Sequence, residues 1–270
     1  MMKKLVKSCF TFLFIFLVFC GCRSVEMVEK KLPESLPVPE SFVAVFSDNK
    51  ELLQVYGNRT LAAYRFPPCS TFKIVSTLMG LDGGVLHDLN SRLGYDGTKY
   101  ENPNWNQDVT LLEAFQYSCV PYYKKLTGHL KKQYVQKKLD EIGYGNCDLS
   151  VWNSNGHNVF WIESSLLISP LEQIGVLKRI FSSRSPFRAE HVAILKRCMF
   201  SGRAGEWNLY GKTGTGRNHN SNRLEAWFVG FAESREGKIV YFAAHGADFR
   251  RDVVSPEIRE TVRNIVESMP

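Results

Sequence analysis

Two kinds of periodicity share this chain, and their order along it limits the fold more than any other feature. Strand-like apolar runs stand near both ends, and helix-like runs stand between them. Phe42-Val43-Ala44-Val45-Phe46 and Leu52-Leu53-Gln54-Val55-Tyr56 flank the polar Ser47-Asp48-Asn49-Lys50-Glu51, which predicts a hairpin. From Ser70 to about Leu81, two sets of apolar residues recur at helical spacing: Ile74, Leu78 and Leu81, and Phe72, Val75 and Met79. Segments 110–127, 131–142 and 170–181 read as further helices, with turns at Gly83-Gly84 and Gly94-Tyr95-Asp96-Gly97. After Gly205 the pattern changes. Segments 207–210, 226–232 and 239–245 read as strands and 233–238 as a turn. A closing helix over 256–268 puts Ile258, Val262, Ile265 and Val266 on one face. The simplest arrangement is an α/β (α+β) fold: an antiparallel sheet built from N- and C-terminal strands, flanked by terminal helices, with an inserted all-helical region.

Composition agrees with a packed core. Of 270 residues, 44% are apolar and 23% charged, which excludes wholesale disorder. The length suits one large domain or two small ones, and no repeat of 20 to 50 residues points to a solenoid or propeller.

The N-terminus reads as an export signal. Lys3, Lys4 and Lys7 precede a run from Cys9 to Cys20 in which only Thr11 is neither apolar nor Cys. A dozen apolar residues suit a signal-peptide core better than a membrane span. Residues 1–21 are therefore assigned to a lipoprotein-type signal and 22–41 to a tether, since Pro33, Pro37 and Pro39 lie there among charges. Residues 42–268 are assigned to the folded domain. Gly21-Cys22-Arg23 resembles a bacterial lipobox, with Cys22 as the lipid acceptor; simple cleavage or an uncleaved anchor are the alternatives, because Phe19 fits that pattern poorly. The expected location is the periplasm, with membrane contact only through that lipid. The net charge is +7, and losing the three leader lysines leaves +4, too weak and dispersed for nucleic acid.

Four cysteines remain in the domain: Cys69, Cys119, Cys147 and Cys198. None has C-x-x-C spacing, and the six histidines show no metal spacing, so no metal is expected. Export permits disulfides. Cys69 and Cys119 each adjoin a candidate catalytic serine and form the one pairing worth naming, against the alternative of four thiols acting as small apolar groups.

Three spaced motifs carry chemistry. Ser70-Thr71-Phe72-Lys73 follows Pro67-Pro68-Cys69, at a helix start. Ser and Lys at i and i+3 share a face, and a buried lysine loses enough basicity to accept a proton from a hydroxyl. Alone the motif is weak, because a serine at that place also serves as a helix cap. Ser118-Cys119-Val120, followed by Pro121, is by itself what a helix end looks like. Lys212-Thr213-Gly214 ends a strand-like run, where a cation, a hydroxyl and a glycine suit an anionic ligand held against a strand.

The ordered set is more specific than its parts. S-x-x-K, S-x-V 48 positions later and K-T-G 94 positions after that resemble the penicillin-recognising serine enzymes, and within them the class D (oxacillinase-type) β-lactamases. Pro68 to Ile74, Trp105 to Pro121, Tyr144-Gly145-Asn146, Phe160-Trp161-Ile162-Glu163 with Ile168-Ser169-Pro170, and Ala226 to Phe231 carry that narrower match, over about residues 42–268.

The resemblance implies a role for each matching residue. Ser70 would attack the β-lactam carbonyl, and Lys73, carboxylated by CO2 from bicarbonate, would be general base in acylation and deacylation. Trp161 would donate to that carboxylate and Val120 would keep the pocket apolar. Ser118 would relay a proton to the leaving nitrogen. Lys212, Thr213 and Gly214 would hold the substrate carboxylate, with Arg259 as second contact and Arg250 or Arg251 as substitutes. The N–H groups of Ser70 and Thr215 would form the oxyanion hole, where one donor is worth about 3 kcal/mol. Trp105 would line the cleft. No cofactor beyond CO2 is implied, the partner is a small-molecule β-lactam, and the assembly a monomer or homodimer. The expected activity is serine β-lactamase hydrolysis, conferring resistance.

There are departures from the pattern. Thr215 stands where the family often has a larger apolar residue, Ser164 follows Glu163 in place of glycine, residues 216–223 are unusually polar, and Ala244-His245-Gly246-Ala247-Asp248 is unlike the common last strand. They bear on substrate spectrum. A non-hydrolytic penicillin sensor or a D,D-peptidase shares the three motifs. A sensor would hang on a multi-span protein, where this chain has one short apolar run, and a peptidase would not be expected to carry both Tyr144-Gly145-Asn146 and Phe160-Trp161. A third alternative, a structural lipoprotein with a decayed site, is at odds with the intact Ser70, Lys73, Ser118 and Lys212.

Overall fold

The apolar run Phe42 to Phe46 has no polar face, and its place in the fold explains why. The computed structural model describes residues 27–33, 36–48, 52–153, 158–162, 164–218 and 220–269. In it this run lies within strand β2 (Ser41–Asp48) of a seven-stranded sheet, covered on both sides. Val43 and Val45 point into one apolar cluster, and Phe42, Ala44 and Phe46 into another. Such strands read as continuous apolar runs.

β1 (Met27–Lys30) and β3 (Leu53–Gly57) lie on one side of β2. The helical region follows, with α1 (Lys73–Asp82), α2 (Leu111–Gln116), α3 (Val120–His129), α4 (Lys132–Ile142), α5 (Pro170–Ile180) and α6 (Ala189–Met199). The chain then supplies β4 (Phe200–Ala204), β5 (Trp207–Arg217), β6 (Leu224–Glu233), β7 (Ile239–Ala247) and α7 (Ser255–Glu267). The strand order is β1-β3-β2-β7-β6-β5-β4, so the two ends of the chain meet where β2 pairs antiparallel with β7. β1 joins β3 in parallel; the other pairings are antiparallel. This is the mixed α/β architecture expected from the order of periodicities.

Helix α7 lays Ile258, Val262, Ile265 and Val266 on the face that carries Phe228, Phe242 and Ala244. The helical region covers the other face, including Val43, Val45, Val229 and Ala243. The candidate site residues of α1, including Lys73, lie on this second side.

Four local expectations change. The segment read as a tether contains β1, and Leu32, Leu36 and Val38 pack against the α7-side cluster. The single helix expected over 110–127 is two helices, broken at Tyr117-Ser118-Cys119. The strand expected to stop near Tyr210 runs on to Arg217, so K-T-G lies inside it. α6 and β4 were not anticipated; their exposed positions blur the periodicity. The leader 1–21, Cys22, the turn residues 49–51, His157, Glu163 and His219 lie outside the described residues.

Candidate active site

The nucleophile candidate sits on a clamped turn. Pro67 and Pro68 stop any preceding helix, and Cys69–Phe72 forms a 3-10 turn that runs straight into α1. Cys69 has φ 48, a left-handed conformation that non-glycine residues rarely adopt. Tertiary bonds hold the turn there. Thr71 donates its N–H (3.1 Å) and its hydroxyl (2.7 Å) to the Pro68 carbonyl. Gln173 from α5 donates to Thr71 Oγ1 (3.0 Å), and Trp227 Nε1 from β6 donates to the Pro67 carbonyl (3.0 Å).

Ser70 is half-buried and Lys73, one turn on, is fully buried. Lys73 Nζ donates to Ser70 Oγ at 2.7 Å. Its surroundings are aromatic: the Trp161 ring centre is 4.7 Å away and the Tyr123 ring centre 5.2 Å. Burial, reinforced by nearby Lys212, pushes the Lys73 ammonium well below the usual lysine range. Burial thus favours the uncharged amine over the ammonium. Trp161 is itself buried against Phe72, and its Nε1–H has no partner among the described residues. A buried N–H left unpaired costs about 1–3 kcal/mol. The donor set therefore fits an acceptor built on Lys73.

Ser118 occupies the break between α2 and α3. Thr110 caps α2 with Glu113 in a reciprocal box, Ser118 turns the backbone with φ 54, and Val120 opens α3 with Pro121 behind it. Trp105 Nε1 donates to the Tyr117 carbonyl (3.0 Å), so Trp105 fastens this turn as well as standing at its surface. Val120 is half-buried and packs on the same cluster as Trp161.

K-T-G approaches from the sheet. Lys212 pairs with Val229 and Gly214 with Trp227, and a Cβ on Gly214 would lie 3.1 Å from the Pro68 carbonyl and 3.1 Å from Thr71 Cγ2. Glycine is needed there for the strand to touch the Ser70 turn. Lys212 is buried, lies 5.7 Å from the Phe115 ring centre, and donates to Thr213 O (3.1 Å) and Oγ1 (3.2 Å). Burial lowers its pKa to about 7.

Thr215 is exposed, three residues beyond Lys212. It pairs with Ala226, which pairs with Gly246, and Ile258 on the first turn of α7 packs on Gly246. Arg259 is thus on the helix turn that stands over this end of the sheet. It is exposed and has no ion-pair partner among the described residues. Arg250 pairs with Glu40 (3.0 Å) and Arg251 with Glu257 (2.7 Å), which leaves Arg259 the available cation of the three.

Tyr144-Gly145-Asn146 has a structural role that its composition does not announce. Asn146 Nδ2 donates to the Ser165 carbonyl (2.8 Å), and Oδ1 accepts from the N–H groups of Leu167 (2.9 Å) and Asp148 (3.2 Å). The motif pins the loop that follows Trp161. Cys69, Cys119, Cys147 and Cys198 are all thiols, so the Cys69–Cys119 disulfide is not formed. Phe115, Tyr123 and Gln173 also shape the site, and nothing in their local sequence marks them, because each acts through a contact distant in the chain.

A sequence profile of the penicillin-binding protein transpeptidase domain matches residues 41–258. The chain is 32% identical over 201 residues to the regulatory protein BlaR1 of Bacillus licheniformis, covering 74% of this chain and 32% of that protein. It is 36% identical over 184 residues to the probable β-lactamase YbxI of Bacillus subtilis, covering 68% and 66%. It therefore spans about a third of the length of the first relative and about two thirds of the second. Among solved structures, a class D β-lactamase YbXI from Nostoc superposes with TM-score 0.75 at 28% identity over 83% of this chain and 91% of that one. The C-terminal domain of the Bacillus licheniformis BlaR penicillin receptor does so with TM-score 0.75 at 29% identity over 84% and 89%.

Proposed function

This chain belongs to the penicillin-binding protein transpeptidase domain family, with class D β-lactamases among its homologues, and from that premise we propose that it hydrolyses β-lactams through an acyl-Ser70 intermediate. The observation that carries the reading is the pairing of Ser70 Oγ with a buried, weakly basic Lys73 amine at 2.7 Å.

Ser70 Oγ attacks the lactam carbonyl carbon while its proton passes to the Lys73 side chain. The negative oxygen is held by the N–H groups of Ser70 and Thr215. The ring C–N bond breaks, and Ser118 relays the proton taken up by Lys73 to the departing nitrogen, which leaves Ser118 protonated and the base at Lys73 free again. Lys212 and Thr213 hold the substrate carboxylate, with Arg259 as the second cation. Water then adds to the ester, the base at Lys73 takes its proton, Ser70 recovers a proton, and the ring-opened acid leaves. Carbon dioxide bound on Lys73 would be held by the unpaired Trp161 Nε1–H, in a pocket that Val120 helps to keep apolar, and would supply a carboxylate base. In an organism exposed to β-lactams this activity would protect the cell.

A second reading is favoured by the likeness to the BlaR receptor domain: acylation of Ser70 without turnover. Steady-state hydrolysis of a penicillin and a chromogenic cephalosporin, with and without bicarbonate and alongside intact mass, separates the two. Repeated turnover that bicarbonate stimulates and Ser70→Ala abolishes is the expected result. A single stoichiometric adduct with no turnover would replace the hydrolase with the receptor reading.

A further inference from the structure

His245 is a buried polar group that the reaction above does not use. It lies in β7, fully buried, and neither ring nitrogen has a hydrogen-bond partner among the described residues. A packing role alone would favour an apolar side chain, since unpaired buried polar atoms destabilise the fold. Burial takes its pKa down to about 3, so the ring is neutral and carries one N–H.

One side of the ring leads to the nucleophile. It stacks on Phe66 (centroids 3.8 Å, planes 22° apart) and meets Trp227 edge-on (4.6 Å, 60°). Trp227 holds the Pro67 carbonyl, and Phe66 exchanges two backbone bonds with Ile168 (3.0 and 2.9 Å). The other side leads to the turn after K-T-G. Nε2 faces the buried Glu225 carboxylate, with Oε2 3.9 Å away. That oxygen accepts from Asn218 Nδ2 (2.8 Å). Asn218 organises the β5–β6 turn: its Oδ1 takes the N–H groups of Asn220 (2.9 Å) and Ser221 (3.1 Å), and its backbone bonds Arg223 and Asn222 (both 2.8 Å). A cavity of about 310 Å³ opens here, lined in part by Phe66, Pro67, Ser164, Leu167, Asn218 and Glu225. The three segments flanking the reacting centre therefore converge on one buried polar pair. They are the approach to Ser70, the loop after Trp161 and the hairpin after K-T-G.

We propose that His245 is a positioning residue: its Nε2–H donates to Glu225 and, through Asn218, ties the β5–β6 hairpin to the Pro67-Pro68 approach, fixing the Ser70-to-Thr215 spacing of the oxyanion hole. A shift of about 1 Å brings the pair to hydrogen-bond distance. The kinetic consequence rests on the hydrolase reading; the structural link does not.

The test compares His245→Leu with His245→Gln, which restores a buried donor. Acylation and deacylation of Ser70 by a penicillin are followed by stopped flow and intact mass, and amide exchange is mapped in the unliganded proteins. His245→Leu should acylate and deacylate Ser70 at least tenfold more slowly than the parent. Exchange should rise at the Phe66 and Ile168 amides and in 220–224 and stay unchanged elsewhere in the sheet. His245→Gln should recover most of both. Unchanged deacylation and exchange in His245→Leu, or a Gln variant as impaired as the Leu variant, would overturn the proposal. If His245→Leu does not fold, Asn218→Ala cuts the same link from the hairpin side and is read identically. If the parent never turns over, the hydrolase reading fails by itself and exchange alone decides the positioning role.

Discussion

Two lysines within one buried site set the chemistry at the scale of single residues. Each is deprived of solvent, and the charge of Lys212 further discourages that of Lys73, so neither keeps an ordinary lysine pKa. Lys212, with its pKa near 7, is a cation below neutrality and neutral above it. Binding of the substrate carboxylate should therefore weaken as pH rises through about 7, seen as a rising KM that Lys212→Arg shifts to higher pH. Trp161 gives a second prediction. Trp161→Phe keeps the ring beside Lys73 but removes the unpaired N–H. Turnover should fall by about tenfold to a hundredfold, the range for losing one hydrogen bond to a charged group. Added bicarbonate should restore part of it, and the carbon-13 signal of labelled CO2 on Lys73 should weaken. Unchanged signal and turnover would remove Trp161 from that role.

Local backbone geometry matters more than helix propensity at the scale of the element. Ser118 is useful because α2 ends before it and α3 begins after it, and the turn between them needs a left-handed residue. The loop after Trp161 depends similarly on Gly145, which has φ 56 and whose Cβ would collide with the Leu167 carbonyl. Gly145→Ala should destabilise the protein by about 2 kcal/mol or more, from strain and a displaced loop, measured by urea unfolding. Asn146→Ala, which removes three hydrogen bonds to that loop, should lower turnover at ambient bicarbonate more than it lowers stability. Equal losses in both would make the motif a fold element only.

The sheet joins the two ends of the chain into one cooperative unit at the scale of the whole molecule. β2 is buried on both faces and pairs with β7 from the other end, so losses there are global. Val45→Ala should cost about 2–3 kcal/mol, with no change in the acylation rate measured under native conditions. Lys212 also shapes the pH dependence of stability. Its folded pKa is depressed, so between about 7 and 10.5 the unfolded chain binds the extra proton, and stability rises with pH. Below about 7 the penalty is fully present and flat. The stability of the parent relative to Lys212→Met should therefore improve from pH 7 to pH 9. A difference independent of pH would show that Lys212 keeps its ordinary basicity.

Ordered periodicity was enough, from the chain alone, to give the sheet with its inserted helices, because strand and helix patterns depend on neighbours two to four residues away. Ser70, Lys73, Ser118 and Lys212 could be proposed as a set from the order of their motifs and its resemblance to a known family, although each motif alone is weak. Tertiary structure alone decided the rest. The break at Ser118 depends on Trp105 holding the Tyr117 carbonyl, which no 3.6-residue pattern reveals. β5 runs through K-T-G because β6 pairs along its whole length, overriding two glycines that read locally as a strand end. The low basicity of Lys73 and Lys212 comes from burial between elements some 50 to 100 residues apart. His245 acquires its meaning only from Phe66, Trp227 and Glu225, which the sheet register places around it. Distance along the chain hides such contacts, and burial gives them their energy.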